Sequence, residues 1–269
     1  VVVGDQAGTA ITTGDNNIAV GFAALDAEDT GSNNVAIGAS ALSTLNYNGS
    51  GYNTAVGSNA GAAVTTGIKN TILGGLAGDA ITTGNSNVAL GYSALGANTT
   101  ASNNTAVGVS ALAVNTTGTQ NVAVGSFSLD AVTTASNNTA IGYLSGSSIT
   151  TGASNTLLGS TAGDSITTAA NNTAVGQASL GLATTGANNT AVGSLSGASL
   201  TTGNSNIAVG YNALGSDTLG DRAVAIGLSA LASQNFTSST DNYNIGIGYG
   251  AGLSITTGTI NTIIGGLAG

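Results

Sequence analysis

The chain has 269 residues, a net charge of −9 and no proline, cysteine, histidine, methionine or tryptophan. That removes thiolate and imidazole nucleophiles, ordinary zinc sites and any disulfide framework, and no apolar run approaches the roughly 18 residues of a membrane span. Lys69 and Arg222 stand alone against eleven acids, a balance that repels nucleic-acid phosphates and anionic lipid.

Taken in chain order, one short segment recurs. It ends at Gly4, Gly21, Gly38, Gly57, Gly74, Gly91, Gly108, Gly125, Gly142, Gly159, Gly176, Gly193, Gly210, Gly227, Gly248 and Gly265, sixteen copies. The spacing is 17 residues, except 19 before Gly57 and 21 before Gly248. Such a unit is too short for two packed helices, and 43 glycines would each cost roughly 1 kcal/mol in a helix interior. Threonine and β-branched residues favour strands, and glycine and asparagine favour turns. The expectation is all-β: a parallel β-solenoid of about sixteen 17-residue coils. It forms one continuous array over 1–269, with insertions near 43–52 and 233–243. At about 4.8 Å per coil the array predicts a rod of roughly 75 Å. Val1 already lies in the repeat frame, so the chain is expected to be a fragment or processed product, with any targeting or anchoring segment outside it.

Each coil predicts one strand just before its glycine. The residue preceding the glycine is Val, Ile or Leu in every copy, from Val3 to Ile264, and is expected to be the inward core row. Two residues before the glycine stands Ala in eleven copies, with Val2, Ile72, Leu157, Ile263 and Gly246 in the others. Alternation places that row on the opposite face, where a long apolar stripe predicts a partner surface for copies of the same chain.

Four residues after the glycine the chain has Leu or Gly. Gly8, Gly61, Gly78, Gly146, Gly163, Gly197 and Gly252 are followed three residues on by Ile11, Val64, Ile81, Ile149, Ile166, Leu200 and Ile255. Leu25, Leu95, Leu112, Leu214 and Leu231 are followed by Glu28, Asn98, Asn115, Asp217 and Gln234. Leu42 with Leu45, Leu129 with Val132 and Leu180 with Ala183 are looser cases. One large side chain per coil is therefore expected to fill one corner, reached from either of two backbone positions.

An asparagine begins the strand segment in fourteen of fifteen copies: Asn17, Asn34, Asn53, Asn70, Asn87, Asn104, Asn121, Asn138, Asn155, Asn172, Asn189, Asn206, Asn244 and Asn261, with Ala223 the exception. Stacked amides can bond along the axis and close turn carbonyls, so a structural asparagine ladder is expected. The Thr-Thr pairs, such as Thr12–Thr13 and Thr82–Thr83, predict one inward hydroxyl and one outward threonine ladder. Asp26, Asp79, Asp130 and Asp164 share a coil position but never in adjacent coils, and Asp26, Glu28 and Asp29 are the best candidates for a glycosidase pair. The reading is nonetheless of no enzyme, no metal and no cofactor.

The insertions carry aromatics, Tyr47 and Tyr52 in "LNYNGSGYN" and Phe236 and Tyr243 in "SQNFTSSTDNYN". These are the candidate recognition loops, able to stack on sugars or contact a protein. A further aromatic follows the marker glycine at Phe22, Tyr92, Tyr143, Tyr211 and Tyr249. Asp221 and Arg222 predict a local ion pair where the asparagine row fails.

The segments "NNVAIG" at 33–38, "NVAVG" at 121–125 and "DRAVAIGLSAL" at 221–231 resemble the head repeats of trimeric autotransporter adhesins, the YadA-like heads. The fuller pattern is similar to repeats of bacterial surface and phage tail-fibre-like proteins. The resemblance spans the array, although the 17-residue coil is longer than the usual head repeat. It implies a left-handed β-roll, a homotrimer, an extracellular place on a cell surface or virion appendage, and adhesion. The function expected is a structural and adhesive fibre segment, with an ice-binding threonine ladder or a glycan-binding tail-fibre or spike segment as alternatives. Expected partners are copies of itself, as a homotrimer or an end-to-end filament, and a host surface protein or glycan, with neither nucleic acid nor membrane insertion.

Overall fold

The computed structural model describes residues 1–269 and contains strands and turns without helix. It divides into two compact units, Val1–Ser136 and Asn137–Gly269. Both are parallel β-solenoids. In the first, eight strands run from Val2–Val3 through Ile18–Val20 to Val122–Val124; in the second, eight run from Thr139–Ile141 to Thr262–Ile264. A side ladder pairs Gly220–Asp221 with Thr240–Asp241 in the second unit. Strand pairing keeps like over like: Val88 faces Thr105, Ala89 faces Ala106 and Leu90 faces Val107. The coil length is the ladder offset, so every repeat position becomes a column.

The turns between strands are also bonded to neighbouring coils. Ser93 donates its N–H to Gly75 O at 3.1 Å, and Leu95 donates to Ala111 O at 3.0 Å. Both residues are left-handed, with φ of 54° and 53°. A leucine there is strained by something on the order of 1 kcal/mol, which its full burial offsets. The marker glycines need their identity twice over. Gly91 has φ +134°, and a Cβ on it would stand 2.5 Å from Gly108 O in the next coil.

The inward row is the reverse of the sequence expectation. Ala19, Ala36, Ala55, Ala89, Ala106 and Ala123 are 0 % exposed, whereas Leu73 beside them is 43 % exposed. Alanine lines the interior, and the Val/Ile/Leu row lies on the outer face of the sheet. The reason is space. The alanine column packs beneath the corner filled by residues such as Leu95, Leu112 and Leu214, all fully buried. A larger side chain stands in the alanine row only at Val2, Ile72, Leu157 and Ile263, and each of those coils has glycine at the corner position. For Ile72 the preceding coil's corner is glycine as well: Cβ atoms on Gly61 and Gly78 would come within 2.8 and 3.4 Å of Ile72 Cδ1. Leu157 and Ile263 have the same pair of glycines, Gly146 with Gly163 and Gly252 with Gly269. The expected exchange between leucine and a later aliphatic residue is therefore part of a three-position packing rule that includes the strand.

The Thr-Thr pairs lie in bends rather than on a strand. Neither hydroxyl enters the core, because the inward position is the residue before the pair, such as Ile81. The first threonine is half-buried and its hydroxyl bonds along the axis, Thr82 Oγ1 to Thr99 O at 3.1 Å; the second, such as Thr83, is exposed.

Candidate functional site

The asparagine column is interior. Asn70 donates from Nδ2 to Gly84 O at 2.9 Å, closing its coil, and its Oδ1 accepts the N–H of Asn87 at 3.0 Å. Asn53, Asn155, Asn172 and Asn189 repeat both bonds. At Ala223 the row continues by substitution. Ala223 N–H donates to Asn206 Oδ1 at 2.8 Å, and the next strand's Asn244 N–H turns to Asn242 Oδ1 at 2.9 Å. The four-residue insertion supplies that buried amide.

Arg222 does not pair with Asp221. Its guanidinium bonds to the Asp241 carboxylate and to Tyr243 Oη at 3.1 Å, and lies 5.7 Å from the Tyr243 ring centroid. Asp221 instead accepts from Asn204 N–H at 2.6 Å and Ser239 Oγ at 2.7 Å. The Arg222 pKa is raised by the Tyr243 hydrogen bond and the Asp241 charge.

The loop aromatics divide. Tyr52 and Tyr243 are exposed and Tyr47 is half-buried, while Phe236 is only 5 % exposed. Phe236 is thus an anchor of its insertion rather than a surface contact: its N–H donates to Asp217 Oδ1 at 3.1 Å and its carbonyl accepts from Thr218 Oγ1 at 2.9 Å.

Of the carboxylates weighed for catalysis, Glu28 is held by the backbone, whereas Asp26 Oδ1 is buried without a hydrogen-bond partner. Glu28 is fully buried, with Oε1 accepting from Gly31 N–H at 2.7 Å and Oε2 from Tyr47 N–H at 3.4 Å. Burial pushes its pKa up, against the pull of those hydrogen bonds. Asp29 accepts from the Thr12 hydroxyl. Asp79, Asp130 and Asp164 also have raised pKa values, mainly from desolvation, opposed by N–H groups of their own and the following residues. Asp217 is buried and shares its oxygens among Gly220 N–H, Phe236 N–H and Gln234 Nε2.

What faces solvent in a regular array is the outer side of each sheet. In the first unit the column Val3, Val20, Ile37, Val56, Leu73, Leu90, Val107 and Val124 is continuous by strand register. Its ends are about 34 Å apart at the usual strand spacing. In the second, Ile141, Leu158, Val175, Val192, Val209, Ile226, Ile247 and Ile264 form the same column. The outward column beside each is a mixture of Thr, Val and Ile, with four consecutive threonines at Thr139, Thr156, Thr173 and Thr190. No charged residue stands in either column. Sequence reasoning missed this face because it assigned the two alternating rows the wrong way round; the association of Ile72, Leu157 and Ile263 with paired corner glycines was the available signal. Comparison with protein-family models, curated proteins and solved structures finds no match.

Proposed function

We propose that the chain is a structural and adhesive fibre segment of an extracellular, cell-surface or virion appendage, and that copies associate laterally, as a homotrimer, through the outer sheet face. The observation that carries this reading is the uncharged aliphatic column on each unit, with Leu73 43 % exposed and Ile141 42 % exposed. Contiguous apolar surface of that extent is uncommon on a protein that remains a monomer. The alanine row, first expected to be the interface, is interior and takes no part.

Light scattering of residues 1–269 over a range of concentrations tests the proposal. A mass of three chains is expected, and the double variant Leu73→Lys, Leu90→Lys should lower it while the circular dichroism stays that of the parent. A stable monomer at every concentration would overturn lateral association.

The four-threonine run in register on the second unit's parallel sheet favours a second reading, ice binding by the same face rather than by the Thr-Thr pairs. Thermal hysteresis at micromolar concentration is the measurement; its absence removes this reading.

A further inference from the structure

Two residues beyond the outer aliphatic column, past the bend at the marker glycine, lies another exposed column. In the second unit it reads Tyr143, Ser160, Gln177, Ser194, Tyr211, Leu228, Tyr249 and Gly266, without a charge. Tyr211, Leu228 and Tyr249 occupy three successive coils and are 53, 46 and 57 % exposed. Their alignment follows from the register Val209–Ile226–Ile247 just before them. It is held on the other side by backbone bonds, Ser229 N–H to Tyr211 O and Gly250 N–H to Leu228 O, both 2.9 Å. The two tyrosines therefore stand on rigid backbone two coil spacings apart, about 9.6 Å. In the first unit the corresponding aromatics are Phe22 and Tyr92, four coils apart, so no such pair forms. Tyr92 there reaches toward the preceding coil, its Cδ2 3.7 Å from where a Cβ on Gly75 would stand.

We infer that Tyr211, Leu228 and Tyr249 form a binding platform for a neutral, linear β-1,4-linked glycan lying along the solenoid axis. The inference rests on the attachment reading above and names its ligand class. Sugar rings present faces of C–H groups that pack on aromatic rings, and a β-1,4 chain turns over at each linkage, so the same ring face recurs at every second sugar. One sugar advances about one coil, which puts alternate rings on Tyr211 and Tyr249 and the intervening ring on Leu228. An α-1,4 chain coils away from such a straight row. Charge selects against acidic polysaccharides: the platform offers no cation, and the protein carries −9 overall.

The test is titration of the full chain with cellohexaose, with maltohexaose as the α-linked control, read by calorimetry and by tyrosine fluorescence, which tryptophan does not obscure here. Cellohexaose should bind and maltohexaose should not. Tyr211→Ala and Tyr249→Ala should each weaken binding roughly tenfold, Tyr211→Phe and Tyr249→Phe should retain it, and Tyr92→Ala should leave it unchanged. No cellohexaose binding, equal binding of maltohexaose, or binding indifferent to both alanine variants would overturn the inference. So would a drop in solution mass in the Tyr211→Ala, Tyr249→Ala variant, which would assign the column to a second copy of the chain. A three-chain mass without glycan binding sinks the platform and leaves the fibre; glycan binding by a monomer does the reverse.

Discussion

Asn70 and Asn87 are joined by a bond that crosses from one coil to the next: the Asn87 N–H donates to Asn70 Oδ1 at 3.0 Å, and Asn87 Nδ2 reaches the same oxygen at 3.2 Å. Asn70 Nδ2 simultaneously holds Gly84 O, so one buried side chain fastens its own coil and its neighbour. Asn70→Ala leaves a buried N–H and a buried carbonyl without partners, and is expected to cost about 2–4 kcal/mol in urea unfolding. An unchanged midpoint would mean that water replaces the amide at no cost.

Gly74 and Gly75 are adjacent in sequence and opposite in requirement. A Cβ on Gly74 would stand 2.6 Å from Gly91 O at φ +137°, whereas one on Gly75 would meet nothing closer than Tyr92 Cδ2 at 3.7 Å. Gly74→Ala is expected to destabilise by at least about 3 kcal/mol, and Gly75→Ala to stay within about 0.5 kcal/mol of the parent. Thermal melting of the two variants side by side decides the point; similar losses would contradict the stacking geometry.

The corner rule predicts a rescue. Gly78→Leu places a side chain where a Cβ already lies 2.8 Å from Ile81 Cδ1, and Ile81→Asn alone empties the corner. Together they reproduce the natural pair Leu95 and Asn98. Because Ile72 also enters this corner, the full exchange adds Ile72→Ala. The triple variant should be more stable than the sum of its parts by about 1–3 kcal/mol, measured through a mutant cycle in denaturant.

Acid should stabilise rather than unfold the chain at first. Glu28, Asp79, Asp130 and Asp164 have folded pKa values above their ordinary 4.5 and 3.8, so the folded state binds more protons than the unfolded chain in that window. Their contribution is complete below the ordinary values and is lost as pH rises through the raised ones. The denaturant midpoint is expected to climb as pH falls from 7 to about 4. The triple variant Asp79→Asn, Asp130→Asn, Asp164→Asn should flatten that climb. A midpoint that falls over the same range would contradict the burial assigned to these carboxylates.

Much of the fold is legible in the letters because the coil repeats without intervening sequence. A 17-residue spacing that returns every residue type to its own column specifies a parallel solenoid, and the shared corner of Gly78–Ile81 and Leu95–Asn98 follows from volume alone. The asparagine row was visible for the same reason: asparagine is the shortest side chain that carries a carbonyl acceptor and an NH2 donor on separate atoms, so it can bond its own coil and the next at once.

What only the tertiary structure decided is which way the strand faces. Alternation divides Val88–Ala89–Leu90 into two sides but does not say which is inside, and hydropathy favours the larger residues. The coil interior at that point has room only for a methyl group beneath the Leu95 corner, so Ala89 turns in and Leu90 turns out. The same limit explains the rest. Asp221 could not be seen to lose Arg222 to Asp241, nor Phe236 to fold inward onto Asp217, because both depend on where a four-residue insertion returns to the stack. Sequence by itself determined the period and its columns; packing against the neighbouring coil determined the inside, and with it the outer face and the tyrosine column available to partners.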